Sequence, residues 1–181
     1  MQADSDINDR QAAREWQSRK STYPNLDVLI QPDKYLLARL PPSSSIPPSI
    51  LKLLSTPTDS RGKPLFCTVS RTHNELSILV STSVERSWND LKAELEAAVA
   101  KGEDDGHGVD GPWRAFRIRG PMQFHLVGVL LEFSKCLAQR GISIFAVSTW
   151  DTDYICVKQS DFDNACKALE QDGWKVLDQA D

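Results

Sequence analysis

Two apolar strands joined by a short polar turn are the pattern that most restricts the fold of this chain. Residues Ile142–Lys158 read ISIFAVSTWDTDYICVK, in which an apolar run is followed by the turn Trp150–Asp153 and by a second apolar run. A strand covered on one face alternates apolar and polar residues, whereas the run up to Thr149 is apolar at successive positions. We therefore predict an antiparallel hairpin whose first strand is central in its sheet and covered on both faces.

The segments on either side of this hairpin complete a known order of elements. A strand is predicted at Trp113–Arg119 and a helix at about Leu126–Arg140. After the hairpin, a helix begins at Ser160 and a last strand covers Trp174–Leu177. The apolar face predicted for the first of these helices is formed by Val127, Leu130, Leu131, Ser134 and Ala138. The order is β-α-β-β-α-β, which is the ferredoxin-like arrangement.

The first half of the chain repeats this order at a constant offset. Tyr35 corresponds to Trp113 and Glu75 to Asp153, 78 residues further on in both cases. We therefore predict an α+β protein of two ferredoxin-like units packed side by side, with antiparallel sheets and helices on one face.

The predicted boundaries follow from the repeat and from composition. They are a flexible N-terminal tail at 1–25, a first unit at 26–101, an acidic linker at 102–111 and a second unit at 112–181. In the first unit, helix and linker take the position of the final strand, which would leave an unpaired sheet edge. We expect a short strand at Leu26–Ile30 to fill that gap.

Composition and charge narrow the classes of function. The chain of 181 residues has a formal net charge of −4 and no extended cluster of Lys and Arg, which argues against a nucleic-acid partner. No apolar run approaches the ~20 residues of a membrane span, and Met1–Lys20 is polar, unlike a secretion segment. The four cysteines lack CxxC spacing, so neither a metal nor a cofactor is predicted. We expect a cytoplasmic protein with reduced thiols.

Two segments, WRAFRIRGPMQFHLVGVL and ISIFAVSTWDTDYICV, resemble the ACT domain. The resemblance is to the branch that contains the cytosolic arginine sensors of the CASTOR type and small bacterial tandem-ACT proteins, and that branch is related to the regulatory domains of aspartate kinase. It covers about Leu26–Val176. It implies a βαββαβ fold and a non-catalytic regulatory homodimer that senses a small amino acid or related metabolite and acts on a downstream protein partner.

The resemblance also implies where a ligand binds. In the arginine sensors the ligand lies between ACT units, held by the start of the first helix, the turn after the second strand and the strand start of a neighbouring unit. In this sequence those regions fall on Gln123, Phe124, His125, Leu126, Val127, Gly128 and Val129, on Thr149, Trp150 and Asp153, and on Ser143 and Ile144. His125 and Leu126 stand where the arginine sensors carry acidic residues. This departure argues against arginine, because an apolar side chain cannot pair with a guanidinium.

The residue types themselves suit an amino-acid ligand. A helix beginning near Leu126 offers unpaired N–H groups and the positive end of a dipole to a carboxylate. Gly128 permits close approach of a ligand, and the Asp153 carboxylate can accept hydrogen bonds from an α-ammonium group. Trp150 can cover an apolar or cationic side chain.

The sequence also bears on two other classes of function. A ligand-free ACT assembly module is the alternative if Leu126 and Trp150 fill the would-be pocket. An enzyme is not expected, because the sequence offers no nucleophile–base pair, metal-ligand set or phosphate-binding loop.

Overall fold

The chain folds into two compact units. One comprises Asp33–Trp113 and is called the middle unit, and the other comprises the residues up to Pro32 together with those from Arg114 onward and is called the terminal unit. The computed structural model describes residues 14–20, 22–56, 58, 62–82, 88–99, 108–122 and 126–178.

The described residues of these units form seven strands and four helices. The strands are β1 (Val28–Leu40), β2 (Cys67–Arg71), β3 (Leu76–Ser81), β4 (Gly108–Ile118), β5 (Ile144–Ser148), β6 (Asp153–Lys158) and β7 (Val176–Asp178). The helices are α1 (Pro48–Ser55), α2 (Trp88–Val99), α3 (Val129–Ala138) and α4 (Phe162–Gln171). Short 3-10 turns occupy Pro24–Leu26 and Gln159–Asp161. Residues 14–20 are also helical. The α+β, ferredoxin-like class predicted from the sequence is confirmed.

The middle unit has a complete βαββαβ order. Its strands lie in the order β2–β3–β1–β4, and Tyr35 to Leu40 pair antiparallel with Ser81 to Leu76. Alternate residues of these strands, such as Leu36 and Ile78, are fully buried in one core with α1 and α2. The final strand is supplied by the start of β4, because Gly108–Trp113 belongs to this unit. The prediction of a linker through 111 is therefore wrong for 108–111, and residues 102–107 lie outside the described residues.

In the terminal unit the start of β1 is inserted beside the last strand. Val28–Ile30 pairs in parallel with Val176–Asp178, and the strand order is β7–β1–β4–β6–β5. The expectation that Leu26–Ile30 closes the first unit is wrong, because this segment pairs with the strand that ends the chain's last unit. The strand expected at Leu26–Ile30 is instead the start of a longer strand, because β1 runs through Pro32 without a break.

Strand β5 lies at the edge of the sheet of the terminal unit. It pairs with β6 along Ile144–Ser148 opposite Val157–Asp153 and is the last strand in the order. The hairpin is therefore confirmed, but its first strand is not central. Its residues Ile144, Phe145 and Val147 are half-buried, and Ala146 and Ser148 are exposed.

The core of the terminal unit lies between its strands and helices α3 and α4. Phe116 stacks on Phe162 with ring centroids 5.0 Å apart, and Phe133 contacts Trp174 at 5.4 Å. Helix α3 buries Val129, Phe133, Cys136 and Leu137. The buried face of this helix is rotated by part of a turn from the predicted one. Val127 and Leu131, expected on the apolar face, are 78% and 68% exposed.

Part of the predicted tail belongs to this unit. Residues 14–20 are helical, the ring of Trp16 packs against the core, and Lys20 is 1% exposed. The prediction of a flexible tail over 1–25 does not hold for this segment, and residues 1–13 lie outside the described residues. Within the described part of the chain, no helix is long and apolar enough to cross a membrane.

Candidate ligand-binding site

The loop between β4 and α3 meets the turn between β5 and β6. The backbone N–H of Met122 donates to the carbonyl oxygen of Asp151 at 2.7 Å. Gly120, with φ of +68°, makes this approach close, since a Cβ there would lie 2.8 Å from the same oxygen. Because that oxygen is backbone and cannot swing away, glycine is required at this position. The residue just before the predicted helix-start region thus lies beside the predicted turn in one unit.

The β5–β6 turn is fixed by threonine hydroxyls. The N–H and the hydroxyl of Thr149 both donate to the carbonyl oxygen of Thr152, each at 2.8 Å. The buried Thr152 hydroxyl in turn donates to the carbonyl oxygen of Ile118 at the end of β4. Sequence reasoning missed Thr152 and Gly120, and a polar turn sequence carries no signal for this long-range bond. The turn is therefore held against the loop, in line with a rigid site edge.

The opposite side of the β4–α3 loop is held by the residues that lead into β1. The Gly120 N–H donates to the carbonyl oxygen of Asn25 at 2.9 Å, and the Asn25 side-chain amide donates to the carbonyl oxygen of Pro121 at 3.3 Å. The Asp27 carboxylate accepts a hydrogen bond from Arg119 at 3.1 Å and lies 3.8 Å from the Lys175 ammonium. Asp27 is buried, so its interactions with Arg119 and Lys175 hold the chain in place just beyond the end of β4.

Helix α3 begins three residues later than predicted, at Val129. Gly128 is its N-cap residue with φ of +87°, and no side chain caps the helix. The first intrahelical acceptor used is the Gly128 carbonyl, which receives the Glu132 N–H at 3.0 Å. The N–H groups of the first turn therefore have no intrahelical acceptor, which is the usual arrangement for receiving an anion.

The carboxylate of Asp153 is the most informative group of the site. Asp153 opens β6 opposite Ser148 and is only 9% exposed. It lies on the same face of β6 as Ile155 and Val157, which belong to the core beneath α3 and α4. Among the residues that the structure describes, none donates a hydrogen bond to this carboxylate or pairs with it. Its oxygens are not among the fully buried side-chain atoms that lack a partner, so the carboxylate keeps a small exposed surface at which water or a ligand can bind.

The remaining predicted residues differ in how they are placed. Thr149, Ser143 and Val127 are exposed, and Trp150 is 80% exposed, so it does not fill a pocket. Leu126 and Ile144 pack partly against the core, and Val129 is 4% exposed. Gln123, Phe124 and His125 lie outside the described residues.

Ser143 and Ile144 are not brought to the turn within one chain. They stand at the start of β5, whereas Thr149 follows its end. A strand of five residues is about 17 Å long. These two residues can therefore reach a ligand at the turn only if a second copy of the chain supplies them.

Cys136 and Cys156 offer no reactive thiolate near neutral pH. All four are free. Burial raises the pKa of Cys156 to about 12, and burial, with a smaller contribution from Asp172, raises the pKa of Cys136 to about 11. The described residues also contain no group of three or more His, Cys, Asp or Glu side chains placed to hold a metal ion.

Residues 108–171 match the family model of the ACT domain. This ACT-matched segment runs from β4 through α4, so it contains both the β4–α3 loop and the β5–β6 turn. It leaves out β1 and β7, which pair with each other in the same unit.

Solved structures share the fold over most of the chain. A protein from Agobacterium tumefaciens is 28% identical, covers 86% of this chain and 94% of its own, and has a TM-score of 0.58. The regulatory subunit of aspartate kinase from Thermus flavus is 13% identical over 81% of this chain and 96% of its own, with a TM-score of 0.52. Aspartate kinase from Clostridium acetobutylicum is 10% identical over 77% of this chain and 33% of its own, also at 0.52. No curated protein matched the chain.

Proposed function

We propose that this chain is a non-catalytic regulatory protein, a tandem-ACT protein that binds a small amino acid or related metabolite at the terminal unit. The observation that carries the proposal is Asp153, a residue only 9% exposed whose carboxylate has no donor among the described residues and still reaches the surface. It begins the strand that follows the β5–β6 turn, inside the ACT-matched segment. As a regulator of this kind it would act in the cytoplasm through a downstream protein partner.

The two ends of an amino acid match two features of this site. The first turn of α3 supplies N–H groups without intrahelical acceptors to the α-carboxylate. Asp153 supplies the acceptor that an α-ammonium group needs, and a charge-assisted hydrogen bond in a shielded site is among the stronger single contacts. Neither feature involves proton transfer or a nucleophile, which is why the proposal is of binding and not catalysis.

A second copy of the chain is part of the proposal. Strand β5 ends its sheet, so one side of its backbone has no strand partner among the described residues of this unit. Open strand edges favour pairing with another chain. Such pairing would bring the partner's Ser143 and Ile144 toward the turn that Thr149 begins. The ligand would then lie between ACT units of two copies and stabilise the homodimer.

A thermal-shift screen against the proteinogenic L-amino acids tests the binding. A ligand at about 100-fold its dissociation constant stabilises by about 2.7 kcal/mol. The Asp153→Asn variant keeps the shape of the side chain and removes its charge, so the ligand-induced shift should be lost. The matched control is Asp151→Asn, an exposed residue of the same turn that contributes its backbone oxygen, and it should keep the shift. A flat screen, or equal loss in both variants, contradicts the proposal.

The second candidate function is a ligand-free assembly module. It is favoured by the apolar residues that stand exposed on the terminal unit, Val127 and Leu131 near the start of α3. Sedimentation velocity separates the two functions. An assembly module gives an oligomer of unchanged stability with and without amino acids, whereas the binding proposal requires the dimer to be stabilised by its ligand.

A further inference from the structure

The helical segment of residues 14–20 covers the start of helix α3. A Cβ built on Gly128 would lie 3.5 Å from the nearest ring atom of Trp16. The indole therefore stands in contact distance of the backbone that a ligand of the proposed site would approach. Nothing in the sequence linked a tryptophan from a polar N-terminal stretch to this glycine.

A buried lysine holds the segment in this position. The Lys20 ammonium lies 3.2 Å from the Glu132 carboxylate in the first turn of α3 and 2.5 Å from the Asp172 carboxylate just beyond α4. It also stands 5.4 Å from the centre of the Trp174 ring. Lys20 is 1% exposed. One residue thus joins the segment to the start of α3 and to the end of α4, which lie side by side.

The segment also packs against a second glycine. Gly173 has φ of +91°, and a Cβ there would lie 2.8 Å from the side-chain oxygen of Gln17. Gly128 precedes α3 and Gly173 follows α4, so the neighbouring residues Trp16 and Gln17 both pack on positions without a side chain.

Most residues of the cover are exposed. Apart from Trp16, Arg19 and Lys20, its residues are exposed, and Arg19 lies over the Trp16 ring at 5.6 Å, within the segment itself. A helix this short has little stability of its own in water. Its place therefore depends on contacts with the rest of the unit, among them the packing of Trp16 and the Lys20 ion pairs.

We propose that residues 14–20 form an autoinhibitory strap, which a ligand must displace from Gly128 to reach the start of α3. The strap rests on the proposed binding function. Since the site is competent only in the fraction of molecules with the strap released, the apparent dissociation constant is the intrinsic one divided by that fraction. Weakening the strap therefore strengthens the response to ligand.

The test compares the full-length protein with three variants of the full chain. Trp16→Ala removes the cover, and Lys20→Met removes its anchor at similar side-chain length. Lys135→Met is the matched control, because Lys135 approaches the same Glu132 carboxylate at 3.9 Å but is 58% exposed. Hydrogen exchange of residues 14–20 measures release of the strap, and the thermal shift with a millimolar mixture of proteinogenic L-amino acids measures binding.

We expect exchange in the segment to rise about tenfold or more in Trp16→Ala and Lys20→Met, together with a larger ligand-induced shift than in the unchanged protein and in Lys135→Met. If exchange rises while the shift is unchanged or smaller, the strap is not inhibitory and the inference is wrong although binding stands. If exchange does not rise in either variant, the segment is not held as inferred. If no form of the protein responds to the mixture, the proposed function fails and the inference fails with it.

Discussion

Val28 lies opposite Val176 in a parallel pair of strands, and the Val28 N–H donates to the carbonyl oxygen of Lys175 at 2.8 Å. The start of β1 is therefore an internal strand of the terminal unit. Leu26 and Val28 are both fully buried in that unit's core. The ACT-matched segment does not contain these residues, so its fold depends on a part of the chain that the match omits.

A fragment of residues 108–181 is expected not to fold cooperatively. It lacks the strand between β4 and β7 and leaves apolar core surface open to water. Urea denaturation followed by tryptophan fluorescence should show no sigmoidal transition for the fragment, and the full chain should show one. A fragment with the full chain's midpoint would mean that β1 contributes nothing to this unit.

The single change Leu26→Ala tests the same dependence in the intact chain. Removing a fully buried leucine from this core should cost about 2–5 kcal/mol of unfolding free energy. The control is Leu51→Ala on α1, where the side chain is 51% exposed, and it should cost about 0.5 kcal/mol or less. Equal costs would show that Leu26 is not part of a packed core.

Gly120 and Gly141 form a matched pair for testing the approach of the two loops. Their φ angles are +68° and +67°, but a Cβ at Gly120 would lie 2.8 Å from the Asp151 oxygen, and a Cβ at Gly141 would meet nothing within 4 Å. Gly141→Ala should cost about 1–2 kcal/mol for the left-handed backbone alone. Gly120→Ala should cost about 1–3 kcal/mol more, because the loop must move away. Chemical denaturation measures both, and equal costs would refute the close approach.

The Thr152 hydroxyl should contribute more to the unfolding free energy than the Thr149 hydroxyl. Thr152→Val leaves the buried Ile118 carbonyl without its donor, at about 1–3 kcal/mol. Thr149→Val should cost less than about 1 kcal/mol, because the Thr152 carbonyl still receives the Thr149 N–H. If Thr149→Val lowers the unfolding free energy more than Thr152→Val in chemical denaturation, the hydrogen bond from Thr152 to Ile118 is contradicted.

Stability should fall above pH 9 because of buried thiols. Burial raises the pKa of Cys156 from its ordinary 9.0 to about 12, so the folded thiol stays neutral where the unfolded thiol ionises. Below pH 9 both states are protonated and this residue has no effect. Between pH 9 and 12 the unfolded state alone loses a proton, which costs about 1.4 kcal/mol for each pH unit. Cys156→Ala should make the decline with pH shallower by that amount, and an unchanged slope would contradict the burial.

The order of elements could be predicted from the sequence because it is local. The apolar runs around the turn at Trp150 and Asp151 fix a hairpin, and the observed register joins Ile144–Ser148 to Asp153–Val157. Which strand pairs with which is not local. The residues of LDVLI suit any strand with a buried face, and nothing in them distinguishes the edge of one unit from the inside of the other.

The face of α3 illustrates a second limit. Its sequence VLLEFSKCLA is apolar on more than one side, so Val127 and Leu131 define one stripe and Phe133 and Leu137 another. The position of the sheet decides between them, and periodicity alone does not. The same holds for Trp16 and Lys20, whose partners lie more than a hundred residues away.

The most direct test of amino-acid binding at the terminal unit is a titration of the ¹⁵N-labelled protein with the proteinogenic L-amino acids, followed by amide chemical shifts. The account predicts that one of them shifts the amides of residues 126–131 and 149–153 together, and that Asp153→Asn abolishes these shifts. Shifts confined to the middle unit, or none with any amino acid, would contradict it.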